Sequence, residues 1–280
     1  MGLSDTEIQS FISTIKNHSE YDFSEYSEKS LKRRIQKVID DNRIDMPMLI
    51  KRLQNDRQFL EKTVRDITVN TTELFRDPKV WQDLRFRVLP RLKKNKTINI
   101  WHAGCSTGQE VYSLLILLNE MGLFDKAKVL ATDINEDALE EAKKGVYKYR
   151  FNIGYLDNFD KVIKENPFNY EEYNDVPYSR YFRINKSDDS LLINDFLKKK
   201  PIFRKHDLVR GENFYFAKFD LILCRNVIIY FKYELQSKVF KMLHEHLYTH
   251  GYLLFGMHES MLGDIANRFD KKGHFYRKKY

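Results

Sequence analysis

Over residues 1–70 the apolar side chains recur only at helical spacing. Ile8, Phe11, Ile12 and Ile15 fall on one face, and Leu31, Ile35, Val38 and Ile39 form a second stripe. Leu49, Leu53, Leu60 and Val64 continue the pattern. Residues three and four apart share a helix face, so this part reads as a small all-helical domain. The stretch Asn42-Arg-Ile-Asp-Met-Pro47 interrupts it with turn-forming residues.

Asp77-Pro78 reads as a helix start, since aspartate caps and proline fits the first turn. That helix is expected to end at Pro90, before the lysine-rich loop Lys93–Lys96. From Thr97 the pattern alternates. Apolar runs at Ile98–Trp101, Lys128–Thr132, Phe219–Cys224 and Tyr252–Gly256 read as strands. Glu110–Glu120, Glu136–Lys144 and Tyr233–His246 read as the helices between them. Such alternation predicts a mostly parallel sheet covered by helices on both faces.

Residues 146–200 break the rhythm. They are rich in Tyr, Phe, Asn and Asp, with a hairpin expected at Tyr181–Asn185 and Leu191–Asn194. The stretch is too long for an ordinary connection and reads as a β-rich insert. The organisation expected is therefore a helical domain over 1–75, a linker and helix over 76–96, and an α/β domain over 97–280 with an insert at about 146–200.

Composition narrows the class. The chain has 280 residues, 42% hydrophobic and 31% charged, which are globular values. Leu114–Leu118 is the longest aliphatic run and is far too short to span a bilayer. The stretch Met1–Glu7 lacks the apolar core of a signal peptide. Cys105 and Cys224 make neither a disulfide framework nor a metal motif, so no metal is expected. A reducing cytoplasm, a monomer and no membrane insertion are the expectations. The net charge of +8 raises nucleic acid as a partner. Its distribution argues against that, because residues 1–70 carry twelve basic and twelve acidic side chains. The excess lies in Lys198–Lys200, Arg204-Lys205, Lys271-Lys272 and Arg277–Lys279.

Chemistry concentrates at four places. Gly104-Cys-Ser-Thr-Gly108 links the first strand to the first helix of the α/β part. Such a turn brings backbone N–H groups and a helix N-terminus to a ligand, although a bare strand–turn–helix needs none. Ser106 stands where a dinucleotide site has its middle glycine, which favours a cofactor without phosphate. Asp133 ends the second strand, where an acid can take ribose hydroxyls or cap the next helix. Cys224-Arg-Asn226 emerges from the strand Phe219–Cys224, with Tyr230 four residues on; Tyr230 also reads as a core aromatic. Asn70, Thr72 and Arg76 lie just before the α/β domain, as a linker or as groups reaching a cofactor cleft.

In combination these motifs resemble the bacterial chemoreceptor methyltransferases, the CheR family. The resemblance rests on Asn70-x-Thr72-x-x-Phe75-Arg76-Asp77, Ser106-Thr-Gly-Gln-Glu110-x-Tyr-Ser113 and Ala131-Thr-Asp-Ile134. It continues through Ala142-x-x-Gly145-x-Tyr147, Cys224-Arg-Asn-Val-x-Ile-Tyr-Phe231 and Leu253-Leu-Phe255. It implies a Rossmann-like α/β methyltransferase domain with a small antiparallel β insert, preceded by the all-helical domain. S-adenosylmethionine would be the cofactor, S-adenosylhomocysteine the product, and receptor glutamate side chains the acceptors.

Carried over by position, Asn70, Thr72, Arg76, Gly104, Glu110, Asp133, Asp207, Leu208, Asn226 and Val227 would surround the cofactor. Arg76 and Tyr230 would lie nearest the transferred methyl. Lys29, Lys32, Arg33, Arg34 and Lys37, in a stretch without acids, would dock the glutamate-rich cytoplasmic helices of chemoreceptors. A receptor C-terminal peptide, where one tethers the enzyme, would add to the insert near Tyr181–Asn194. This chain departs from the family at Leu74, at Asp207 and at Met257-His-Glu-Ser260. The last reads as a surface turn, with a His258–Glu259 pair as the rival. Other functional readings are a basic RNA methyltransferase, which would need an Asn/Asp-Pro-Pro-aromatic motif where Cys224-Arg-Asn-Val stands, and a non-catalytic adaptor.

Overall fold

The computed structural model describes residues 3–68, 72–211 and 218–280. It divides into two compact units, Met1–Asn70 with Val227–Val239, and Thr71–Asn226 with Phe240–Tyr280.

The first unit holds the helices Asp5–His18, Glu28–Asn42, Met46–Asn55 and Arg57–Ile67. Their starts are set by caps. Ser4 and Glu7 form a reciprocal capping box, and the Asp45 and Asp56 carboxylates accept from Met48 N and Phe59 N. Arg43 ends the second helix in a left-handed conformation, φ 53°. The apolar stripes expected from the sequence are the buried ones, Ile8 to Ile15, Leu31 to Ile39, and Leu49 to Val64. The segment Val227–Val239 contributes the short turn Ile228–Tyr230. Ser27 N donates to Tyr230 O at 2.8 Å, and the Tyr26 and Phe231 rings meet edge to face at 5.3 Å.

The second unit is built on strands β1 (Ile98–Ala103), β2 (Ala127–Asp133), β3 (Val146–Lys148), β4 (Phe182–Asn185), β5 (Ser190–Ile193), β6 (Ile202–Lys205), β7 (Phe219–Cys224), β8 (Leu247–Phe255), β9 (Phe269–Lys272) and β10 (Phe275–Lys278). Seven of them form one sheet in the order β6-β2-β1-β7-β8-β10-β9. Neighbours from β6 to β8 run parallel, and β10 runs antiparallel to both β8 and β9. The order reverses between β1 and β7, which opens a crevice outside their C-terminal ends. The helix Gln109–Glu120 is buried along most of its length, which accounts for the aliphatic run Leu114–Leu118. Among the described residues no helix is long and apolar enough to cross a membrane.

Three expectations are corrected. The helix starting at Pro78 passes Pro90 and reaches Leu92, through a widened π turn at Leu84–Val88 in which Leu89 N bonds to Leu84 O. That turn breaks the ordinary ladder where the proline ring would otherwise meet the preceding turn. The region after β3 is helical over Tyr149–Phe159, with a π turn to Lys164. Leu156, Phe159, Val162 and Ile163 are buried there at helical spacing, so packing overrides the β propensity of its aromatics. The short strands β6, β9 and β10 were not expected. The hairpin was: β4 and β5 pair from Phe182↔Ile193 to Asn185↔Ser190, and β3 joins β5 in a sheet of order β3-β5-β4.

Candidate functional site

The candidate site lies at the ends of β1, β2, β6 and β7. After β1 the chain turns through Gly104, φ 75°, whose N–H donates to Thr132 O at 2.8 Å. Ser106 adopts φ 51°, the left-handed region that glycine favours. Its N–H donates to Asp133 Oδ2 at 2.7 Å, which holds the strained residue in place. Gly108, φ 90°, opens the helix Gln109–Glu120; a Cβ there would stand 2.7 Å from Ala142 Cβ. Tyr147 donates its hydroxyl to Thr107 O at 2.7 Å. The Ala142, Gly145 and Tyr147 motif therefore braces this turn from the next helix.

Asp133 is buried, and each of its carboxylate oxygens accepts a backbone N–H, from Ser106 and from Asn135 at 2.9 Å. The following helix is capped by Asn135, whose Oδ1 accepts from Ala138 N. Asp133 is thus not the cap. Burial raises its carboxyl pKa in spite of those hydrogen bonds. A carboxylate has about four acceptor sites, so it retains capacity for further hydroxyl donors. His206 N donates to Asp133 O, which brings Asp207 and Leu208, just past β6, beside the same strand end. Asp207 Oδ1 accepts from Val209 N at 2.8 Å, and Leu208 is buried.

A buried ionic network lies behind the turn. Arg225, at the end of β7, donates to Glu110 Oε1 and to Asp77 Oδ2, each at 2.7 Å, and to Arg76 O at 3.1 Å. His102 on β1 places Nε2 3.7 Å from Glu110 Oε1. Burial alone would raise the Glu110 carboxyl, but the Arg225 charge and the His102 contact outweigh it and lower its pKa to about 2. Asp77, expected as a helix cap, makes no side-chain cap bond; its carboxylate is taken by Arg225 instead. Arg76 stands between two residues with left-handed backbone, Phe75 at φ 51° and Asp77 at φ 59°. Phe75 N donates to Ser113 Oγ, and Arg76 O accepts from the Trp81 indole, which fixes the strained segment.

Asn226 also adopts a positive φ, 59°. Glu259 Oε2 accepts from Asn226 N at 2.7 Å and from Gly256 N at 2.8 Å. The His258–Glu259 pair is thereby overturned: the glutamate spans the ends of β7 and β8 through backbone groups, and His258 is exposed. Among the described residues, Ser106 Oγ after β1 and Asn226 Oδ1 after β7 are buried without a hydrogen-bond partner, as is Thr72 Oγ1 earlier in the chain. Buried polar atoms ordinarily have partners, and a polar nucleoside would supply them. Among the described residues no group of His, Cys, Asp or Glu is placed to hold a metal ion.

The structure thus brings together Gly104, Asp133, Asp207, Leu208 and Asn226 at the strand ends, with Arg76 and Glu110 joined through Arg225. Asn70 lies outside the described residues. Val227 and Tyr230 belong to the helical unit, where Arg34 Cζ stands 5.3 Å from the Tyr230 ring centroid and Arg34 Nη1 donates to Ile67 O. Arg34 is consequently tied up within its unit, while Lys29, Arg33 and Lys37 are exposed and Lys32 is half-buried. Lys37 pairs with Asp41 at 2.7 Å. Sequence reasoning missed the parts played by His102, Arg225 and Glu259. The signal for the first two was a charged or ionisable residue within or at the end of an otherwise apolar buried strand.

The chain matches known proteins over most of its length. Residues 6–68 match the CheR methyltransferase all-alpha domain, and residues 70–275 match the CheR methyltransferase SAM binding domain. A Pseudomonas putida protein provisionally named methyltransferase Cher3 is 32% identical over 268 residues, 95% of this chain and 93% of its own. The chemotaxis protein methyltransferase of Borreliella burgdorferi is 31% identical, covering 81% of this chain and 82% of its own. That of Listeria innocua is 30% identical, covering 90% and 89%. The chain belongs to the CheR methyltransferase family, with an S-adenosylmethionine-binding domain that follows an all-helical one.

Proposed function

We propose that this protein transfers the methyl group of S-adenosylmethionine to glutamate side chains on the cytoplasmic helices of chemoreceptors, giving methyl esters. The observation that supports this reading best is the buried Asp133 carboxylate beside the Gly104–Gly108 turn, with unpartnered Ser106 Oγ and Asn226 Oδ1 after β1 and β7. Asp133 would take the ribose hydroxyls, Leu208 would pack near the adenine with Asp207 beside it, and Asn226 would hold polar edges of the cofactor. The Arg225–Glu110 pair would set the charge at the first turn of the helix, next to the amino acid moiety. When bound, the cofactor supplies an electrophilic methyl on its sulfonium.

Glutamate is ionised at neutral pH, so the chain need not provide a general base. Its residues would act by orienting the acceptor in line and excluding water. Arg76 suits the first task, because its flanking residues are held in strained conformations that fix where its side chain begins. A loose grip serves better than a tight one, since ground-state stabilisation of the carboxylate slows its attack. We assign a second donor role to the Tyr230 hydroxyl. In its own unit the backbone contact to Ser27 and the Arg34 guanidinium fix the ring.

The receptor-docking role falls to the exposed Lys29, Arg33 and Lys37, with Lys32 beside them, where charge selects acidic helices and speeds encounter. Offering a chemoreceptor cytoplasmic fragment and total RNA in the same reaction with labelled S-adenosylmethionine tests the assignment. Label in the receptor fragment alone is expected; label in RNA would replace this reading with a nucleic-acid methyltransferase.

A further inference from the structure

The basic excess at the C-terminal end of the chain is not used by the reaction, and the fold gathers part of it around a cavity. Strand register places Arg277 opposite Tyr252 on β8 and Asp270 on β9, and Phe275 opposite Lys272. Alternate residues share a face, so Arg277, Phe275, Lys272 and Tyr252 point to one side of the sheet. Arg87 and Arg91, on the helical run that crosses Pro90, meet them there. Together they line a cavity of about 250 Å³ with four cationic side chains and one acid, Asp270.

Local contacts hold the cavity's shape. Asp83 accepts from Arg87 Nε at 3.2 Å and lies 3.3 Å from His274 Nδ1, which ties the β9–β10 turn to the helical run. Gly273 in that turn has φ 61°, and a Cβ there would stand 3.1 Å from Asp83 Oδ2. Among the described residues, Arg91, Lys272 and Arg277 have no carboxylate within ion-pair distance. Asp270 itself is 3.8 Å from Lys279. The neighbouring Lys278 is spent structurally, donating to His244 O and Leu247 O. Unpaired like charges around one concavity repel one another and favour a multivalent anion. Arginine forks match phosphate oxygens in particular.

We propose that this cavity is a binding site for a phosphate-bearing ligand, separate from the methyl-transfer site. The volume suits a phosphate or diphosphate group rather than a peptide segment. The group is supplied either by a soluble phosphorylated molecule or by a phospholipid headgroup.

The test is a low-ionic-strength titration of the full chain with inorganic pyrophosphate, and in parallel with phosphatidylglycerol vesicles. Lys272→Glu with Arg277→Glu should weaken pyrophosphate binding at least tenfold and leave S-adenosylhomocysteine affinity unchanged. Arg33→Glu with Lys37→Glu should leave pyrophosphate binding intact. Vesicle binding that the Lys272→Glu/Arg277→Glu variant loses and pyrophosphate competes would identify the headgroup as the source. Pyrophosphate binding without vesicle binding would identify a soluble ligand. Absence of pyrophosphate binding, or binding that survives the Lys272→Glu/Arg277→Glu change, overturns the proposal.

Discussion

Asp133 and Arg225 carry the most specific consequences at the scale of single residues. Asp133→Asn keeps the shape but removes the charge and one acceptor, while Ser106 N and Asn135 N still compete for the remaining oxygen. A charge-assisted hydrogen bond contributes about 1.5–3 kcal/mol. Calorimetry should therefore show S-adenosylhomocysteine binding roughly ten- to a hundredfold weaker. An unchanged affinity would remove Asp133 from the cofactor site.

Arg225→Met strands the buried Glu110 carboxylate, a class of change that costs about 3–5 kcal/mol, and chemical denaturation should report it. The network also has a pH signature. The Glu110 pKa is lowered from 4.5 to about 2, so the folded state binds that proton more weakly than the unfolded chain does. The stabilisation is complete above pH about 4.5 and is lost as pH falls towards about 2. Glu110→Gln should flatten the stability curve in that window; a curve as steep as that of the parent chain would show that other carboxylates dominate it.

Secondary-structure elements show where sequence reasoning succeeds and where physics hides the answer. The four N-terminal helices and the strands β1, β2 and β7 were legible, because strong periodicity or unbroken apolar runs come with clear caps. The helix Tyr149–Phe159 was not, since Tyr, Phe and Asn favour strands or turns until Phe159 is placed in the core. The edge strands β6 and β9 were too short and too polar to stand out. In the site, Gly104, Ser106 and Asp133 could be found from local order along the chain. The Arg225–Glu110–Asp77 network joins residues more than a hundred positions apart, which no local pattern reveals.

Two tests belong at this scale. Gly108→Ala puts a Cβ 2.7 Å from Ala142 Cβ at φ 90°, so it should destabilise by about 1–3 kcal/mol and weaken cofactor binding with it. Wild-type melting and affinity in that variant would contradict the packing account. The insert hairpin is not detachable, because Tyr181, Phe182, Leu191 and Ile193 are buried in the main core. Peptide addition is better probed on β4, which among the described residues pairs on one side only. Asn194 N bonds to Tyr181 O, so alternation along the antiparallel pair turns the Ile184 N–H to the open edge. Ile184→Pro should abolish binding of a receptor C-terminal peptide while S-adenosylhomocysteine affinity holds; retained peptide binding would place the tether elsewhere.

Across the whole molecule, charge separates the parts. Residues 1–70 are balanced in total, yet they display Lys29, Arg33 and Lys37 on one helix face with no acid between Lys29 and Ile39. Arg33→Glu with Lys37→Glu should raise the KM for receptor at least tenfold at low salt, with cofactor affinity unchanged. The gap should narrow as salt screens the attraction. Equal KM values at low salt would sink the docking assignment.

The central claim is that the product is a carboxyl methyl ester on a receptor glutamate. The most direct measurement transfers labelled methyl from S-adenosylmethionine to chemoreceptor-containing membranes and then exposes the protein to mild base. Volatile methanol carrying the label is the predicted result, because esters hydrolyse where methylated amines and amides do not. Label that stays on the protein through base treatment would contradict the account.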